Sequence, residues 1–234
     1  MNENTVFVKK YRENDILPEN ESEIWRYAGF LGSSSEIDGE LKRTFNEVQN
    51  EIGGMFSYKV CYRRMKIADR KKDASLPFLA GSKALSALLK DCDEIIIFAA
   101  TVGLEIDRYI AKQQKISPVK ALLSNAYGAE RIENLCDTFC EDIKNQLQSE
   151  NRFITRRFSP GYGDFPLEKQ KEMFALLDPN RQIGISLNES LLMSPSKSVT
   201  AIMGIKNEKC ESTSANKCNE CSNKSCVFRK QGNK

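Results

Sequence analysis

One stretch dominates the sequence. It starts at Ser117-Pro118 and runs to about Gln148, and along it Ile132, Leu135, Cys136, Phe139, Cys140, Ile143 and Leu147 keep the i, i+3, i+4, i+7 spacing of an amphipathic helix. Ser117 is placed to cap this helix, with Pro118 at its first position. A helix of that length with one apolar face has to lie against a core, and the rest of the chain must supply it. Glu130, Glu133 and Asp137 form a carboxylate stripe on another face.

The remaining elements alternate in type. Glu21 to Leu31 and Leu41 to Ile52 have helical spacing, the second closed by Gly53-Gly54. Phe56, Tyr58, Val60 and Tyr62 alternate as in a strand that leads on to Met65 and Ile67. Ser82 to Lys90 predicts a helix, Glu94 to Ala100 a short buried strand, and Leu104 to about Lys112 a further helix. Pro166 to Leu177 predicts a helix ended by Asp178-Pro179. Strands around Ser190 to Met193 and Ser198 to Ile205 are joined by Pro195-Ser196-Lys197, which predicts a hairpin. No βαβ rhythm, G-x-G-x-x-G or Walker loop is present, so the expected class is α+β with a largely antiparallel sheet.

Composition narrows the chemistry. With 234 residues, 40% of them apolar, the chain can build a real core. It has no histidine, which excludes a Ser-His-Asp triad, a His-based zinc site and a His ligand to cobalamin. A net charge of +3 is far from the footprint of a nucleic-acid binder. The longest apolar run, Ile95 to Ala100, is far short of a membrane span, and the first residues carry no secretion signal. Eight cysteines in such a chain predict a reducing, cytoplasmic setting, where clustered thiols bind metal more often than they pair.

Four of those cysteines define a separate unit. Residues 206–234 carry seven Lys/Arg against three Asp/Glu, and of core-forming residues hardly more than Val227 and Phe228. Burial cannot order such a segment, whereas a metal can. The expected domains are therefore 1–205 and a basic tail, 206–234. In the tail, Cys210, Cys218, Cys221 and Cys226 suit zinc or an iron-sulfur cluster, although the spacing matches neither a regular zinc ribbon nor a ferredoxin run. The alternative is a solvated extension with free thiols. Cys61, Cys136 and Cys140 have core packing as their default role.

The segment most suited to ligand chemistry is Arg157-Phe158-Ser159-Pro160-Gly161-Tyr162, followed by Pro166 and a helix. Arg157 offers a planar donor fork for a carboxylate, Gly161 exposes bare backbone, and Tyr162 offers a ring face and a hydroxyl. Together they suit a small zwitterion or a cation, the alternative being a plain turn with a surface arginine. With Gly184-Ile-Ser-Leu-Asn-Glu-Ser190 and Met193-x-Pro195-x-x-Ser198-Val199, this segment resembles the activation domain of cobalamin-dependent methionine synthase. Ile24-Trp-Arg-Tyr-Ala-Gly-Phe30, Phe98-Ala-Ala-Thr-Val-Gly-Leu-Glu-Ile-Asp107 and Ala129-Glu-Arg-Ile-Glu-Asn-Leu-Cys-Asp137 are similar to stand-alone bacterial relatives, so the likeness spans roughly residues 20–205.

The resemblance implies binding of S-adenosylmethionine and reductive remethylation of inert cob(II)alamin. Arg157 would clamp the methionine carboxylate, the main chain from Phe158 through Ser159 and Pro160 to Gly161 would pair with polar edges of the ligand, and Tyr162 would flank the sulfonium or the adenine. Glu133 would meet the ammonium, the alternative being a solvated helix face. Cobalamin would be presented by a partner, a corrinoid-binding methionine synthase acted on in trans, with electrons from a low-potential donor such as a flavodoxin or ferredoxin. Two rivals remain at this stage: a methyltransferase acting on another acceptor, and a non-catalytic adaptor with a redox or metal-binding cysteine module. Where the family has an Asp-His pair after P-G-Y, this chain has Gly163-Asp164-Phe165-Pro166-Leu167-Glu168, so those family contacts are unassigned.

Overall fold

The computed structural model describes residues 5–30, 37–67, 79 and 81–207. Strand β1 (Phe7–Tyr11) is followed by helices α1 (Glu21–Tyr27) and α2 (Gly39–Ile52). Strand β2 (Tyr58–Lys66), helix α3 (Lys83–Leu88) and strand β3 (Glu94–Thr101) come next. Helices α4 (Glu105–Ile116) and α5 (Pro118–Gln148) lead to strand β4 (Phe153–Ile154). Helices α6 (Gln170–Leu177) and α7 (Pro179–Ile183) precede β5 (Ser186–Leu187), β6 (Met193–Ser194) and β7 (Ser198–Lys206). The main sheet has the order β1-β2-β3-β7-β4, and every pairing in it is antiparallel, as the α+β reading expects.

The sheet is covered on both faces because its central strand is apolar on both. Ile96, Phe98 and Ala100 of β3, with Ala201, Met203 and Ile205 of β7, meet the stripe Ile132, Leu135, Cys136, Phe139, Ile143 and Leu147 of α5. The alternate residues Ile95, Ile97 and Ala99, with Ile202, pack under Leu85, Met173, Leu177 and Ile183 from α3, α6 and α7. A third cluster joins α1, α2 and α4 to the N-terminal half of α5 around Trp25, Phe45, Ile106 and Tyr127. Helix α5 therefore serves two cores along its length. Its start is as the sequence predicts: the Ser117 hydroxyl accepts the Lys120 N–H at 3.4 Å, and Pro118 is the first helical residue.

Gly204 marks a close approach. A Cβ there would collide with Cys92 Sγ and stand 2.7 Å from Leu89 Cδ2, so only glycine lets the segment after α3 lie flat on β7. Cys92, for which the sequence suggested no role, is the residue that seals this contact.

Several sequence expectations need correction. The Pro195–Lys197 turn does not join two strands of a hairpin: β6 pairs with β5 in a separate two-stranded sheet, and β7 pairs with β3. The reason is local. The Asn188 side chain accepts the Leu192 N–H at 2.9 Å and closes the β5–β6 turn, while the Ser196 N–H and hydroxyl are held by Asp107 at 2.6 Å each, aiming the chain into the main sheet. Helix α1 ends at Tyr27, short of Leu31. The helix expected from Pro166 begins as a 3-10 turn and is followed by α7, which has only five residues and so too little length to show a period. Strands β1 and β4 were not anticipated. Glu130 is not part of a solvated stripe: it is 1% exposed and accepts from Arg131, Asn134 and the Asn20 N–H, tying the N-terminal segment to α5. Cys210, Cys218, Cys221 and Cys226, and with them the expected tail, lie outside the described residues apart from Lys206 and Asn207.

Candidate functional site

The chain leaves β4, stays beside β7 through the Thr155 N–H to Gly204 O bond at 2.9 Å, and makes one bridge to it, in which Phe158 and Ile202 exchange backbone hydrogen bonds at 2.8 and 2.9 Å. It then folds back on itself. The Tyr162 N–H reaches Ser159 O at 3.2 Å, and Gly161 N–H reaches Phe165 O at 2.8 Å. Gly161 sits at φ +89°, a conformation that only glycine adopts without strain. Phe165 anchors the loop by inserting into the core, where it is 1% exposed and stacks on Phe158.

Between this loop, the outer edge of β7 and α5 lies a cleft of about 480 Å³, lined by Glu133, Arg156, Arg157, Phe158, Ser159, Pro160 and Tyr162, and by Met193, Ser198, Val199, Thr200, Gln170, Ala84 and Gly163. The volume falls in the range of small-molecule sites, roughly 300 to 1,000 Å³. Six of the seven ligand residues expected from the sequence line it. Gly161, the seventh, turns the loop behind the cleft, packed near Leu167.

The charged end of the cleft is an ion triad. Arg157 Nη2 donates to Glu133 Oε2, and Arg157 Nη1 lies 2.8 Å from Asp137 Oδ1 without the alignment of a hydrogen bond. Glu133 and Asp137 are four residues apart on α5, so one guanidinium spans both. Burial opposes the charge on Arg157, but its surroundings raise its pKa above the ordinary arginine value. Burial also pushes the Cys136 thiol well up, so this sulfur stays neutral and the two carboxylates are the partners that matter. Cys140, beside the same guanidinium, is pushed up to about 11 by burial first. Both thiols pack as the sequence suggested. Glu133 is thus no idle member of a solvated face.

Tyr162 is 63% exposed at the mouth of the cleft. Protein around the hydroxyl and the charge of Glu133 raise its pKa, so it stays a neutral donor. Tyr27 of α1 stands in the field of the same carboxylate: burial and then Glu133 push it up to about 12. Periodicity alone could not pair Tyr27 with Glu133, since the two come from different elements.

Asp164 was also missed. Its carboxylate accepts from Ser82 Oγ at 2.5 Å and from the Lys83 and Ala84 N–H groups at 2.7 and 3.2 Å, capping α3 from a distant loop. It fastens the binding loop to the Ala84 wall of the cleft. Ser82, where the sequence expectation began this helix, accepts the Leu85 N–H at 3.0 Å in the same arrangement. Among the described residues no cluster of three or more His, Cys, Asp or Glu is disposed to hold a metal, and no helix is long and apolar enough to cross a membrane.

The family model for the activation domain of vitamin B12 dependent methionine synthase matches residues 71–220. In three dimensions the chain is similar to the crystal structure of the MetH reactivation domain bound to AdoHcy, with a TM-score of 0.57 and 17% identity, over 87% of this chain and 79% of that one. At that identity the likeness establishes the fold alone. Among curated proteins none matches the sequence.

Proposed function

We propose, because the chain belongs to the family of vitamin B12 dependent methionine synthase activation domains, that its cleft binds S-adenosylmethionine and presents it to a corrinoid carried by another protein. The observation that carries this reading is the Arg157–Glu133 pair at the charged end of the cleft. An α-amino acid carries the same two charges in reverse. A ligand entering between them exchanges one ion pair for two: its carboxylate takes the Arg157 fork, and its ammonium takes Glu133. Asp137 remains on Nη1 and keeps the guanidinium oriented. Main chain from Ser159 to Gly161 supplies further polar contacts, Phe158 having both of its backbone groups on Ile202, and the Tyr162 ring covers the sulfonium or the base.

S-adenosylmethionine supplies an electrophilic methyl group when bound. The residues of this chain hold and orient it. A chain without histidine offers no imidazole to a corrinoid, so cobalamin comes with a partner, a methionine synthase acted on in trans, and a low-potential flavodoxin or ferredoxin supplies the electron. In the same reading Cys210, Cys218, Cys221 and Cys226 hold one zinc ion or one iron-sulfur cluster. Calorimetry of the purified protein with S-adenosylmethionine tests the first step. The second is tested by adding cob(II)alamin-loaded methionine synthase that lacks its own activation region, with donor and reductant, and following the visible spectrum for methylcobalamin. Binding without reactivation, together with methylation of another acceptor, would favour an independent methyltransferase.

A further inference from the structure

Arg156 and Arg157 are consecutive, and both line the cleft. Two ties to β7 bracket them, the Thr155 N–H on Gly204 O before and the Phe158–Ile202 bridge after. Arg157 meets Glu133 and Asp137 of α5. Arg156 meets neither. It is exposed, and among the described residues its guanidinium has no carboxylate partner. The one acid of the binding loop, Asp164, is taken up by Ser82 and the first amides of α3.

The lining therefore sets one carboxylate, Glu133, against two arginines. A seated zwitterion puts its carboxylate on Arg157 and its ammonium on Glu133, while Asp137 stays on Arg157 Nη1. Arg156 is the charge left over. A cleft of about 480 Å³ is roughly 8 Å across, less than the Debye length of about 10 Å at 0.1 M salt, so a charge on its lining acts on a ligand held anywhere inside. A ligand that carries a further positive charge meets repulsion there. A ligand of the same shape without that charge does not.

We propose that Arg156 sets the charge selectivity of the cleft, disfavouring the sulfonium of the methyl donor relative to the neutral thioether that remains after transfer. The proposal rests on the reading of the cleft as a site for S-adenosylmethionine and names the residue that weighs donor against product there. In the transfer the bond from sulfur to the methyl carbon breaks with its electron pair left on sulfur, and the methyl group bonds to an electron pair of the acceptor. The sulfonium charge disappears in that step. A repulsion present before it and absent after it favours departure of the methyl group, and the same difference weights binding toward the spent donor. The Tyr162 ring attracts a cation, so the two residues pull in opposite directions.

The test measures Kd for S-adenosylmethionine and S-adenosylhomocysteine by calorimetry on wild type, Arg156→Gln, Arg156→Glu and Arg156→Lys. The two compounds differ by one methyl group and its positive charge, so the change in their Kd ratio between variants isolates the charge. Arg156→Gln should shift the ratio toward S-adenosylmethionine by about three- to thirtyfold at about 0.01 M salt. Arg156→Glu should shift it further, and Arg156→Lys should keep the wild-type ratio. The shift should persist at about 0.1 M salt and vanish at about 1 M, where the Debye length is about 3 Å. A ratio unmoved in Arg156→Gln and Arg156→Glu, a shift that Arg156→Lys shares, or one already lost at the intermediate salt overturns the proposal and leaves the binding reading standing. Failure of wild type to bind either compound overturns the binding reading, and this inference with it.

Discussion

Glu133→Gln separates the folding role of the ion triad from its ligand role. In the free protein Glu133 is 39% exposed at its side chain and Arg157 19%. A pair that open to solvent contributes little to stability, about 1 kcal/mol or less once screening is allowed for, and Asp137 still faces the guanidinium at 2.8 Å in the variant. The melting temperature should therefore move by only a few degrees. Ligand binding should respond far more, because the charge-assisted contact with the ammonium is lost, at about 1.5 to 3 kcal/mol, or roughly ten- to a hundredfold in Kd. Arg157→Ala should cost about 2 to 4 kcal/mol of binding, and Arg157→Lys should recover only part of it. Arg157→Ala also leaves Glu133 and Asp137 as unshielded like charges four residues apart, so its stability should fall more than that of Glu133→Gln. Calorimetry with S-adenosylmethionine and with methylthioadenosine, which has no amino acid portion, makes the comparison. If the variants weaken both compounds equally, these residues shape the cleft without reading a zwitterion, and the assignment is wrong.

Gly204→Ala should destabilise the protein by about 1 to 3 kcal/mol through overpacking, since the new methyl meets Cys92 Sγ and Leu89; Cys92→Ala in the same chain should restore part of the lost urea midpoint. Acid stability should depend on Asp164, whose carboxyl is held below its usual value by the Ser82 hydroxyl and by the Lys83 and Ala84 amides. A folded pKa below the unfolded one gives stability that is present above the unfolded value, about 3.9, and lost as pH falls through the folded value. Asp164→Asn should therefore flatten the acid limb of the urea midpoint against pH and leave the alkaline limb unchanged. An unaltered acid limb would refute the capping role. Protein purified without oxygen should carry one zinc ion or one iron-sulfur cluster, lost on changing Cys218 and Cys221 to Ser, with visible absorption that bleaches on reduction only for a cluster; metal analysis finding neither would reject the site.

Elements with a long period were legible in the sequence. Helix α5 runs between the residues its spacing suggested because Ser117 and Pro118 fix its start and seven apolar positions fix its face. Strand β3 was equally clear, being branched and apolar on every residue from Ile95 to Ile97. What escaped was short or depended on partners distant in sequence. Strand β4 has two residues and exists only because Lys206 and Ile205 are there to pair with it. Glu130 resembled Glu133 as a helix carboxylate, yet one is locked under Arg131 and the other opens on the cleft. In a helix, positions three apart share a side of the cylinder, and only the neighbouring chain decides which of them is roofed over. The N-terminal segment supplies that roof through the Asn20 amide.

The position of the charged cleft follows from the same helix that builds the core. Leu135, Cys136 and Phe139 fix α5 against the sheet with no exposure, and the neighbouring Glu133 and Asp137 are carried to the sheet edge where β7 loses its outer partner. The loop bearing Arg157 is tied to that edge by the Phe158–Ile202 bridge and to α3 by Asp164. The α5 packing and the bridge set the spacing between Arg157 and Glu133, so the two charges stay matched to a zwitterion before any ligand arrives, while Asp164 holds the Ala84 wall of the cleft. A change that loosens an anchor without touching the cleft, such as Asp164→Ala, should weaken ligand binding while leaving the Arg157 and Glu133 side chains in place. The loss should appear equally with methylthioadenosine, because what is lost is the wall of the cleft and not a charge. An effect confined to S-adenosylmethionine would instead mean that Asp164 acts on the charged end, and this division of roles would fail.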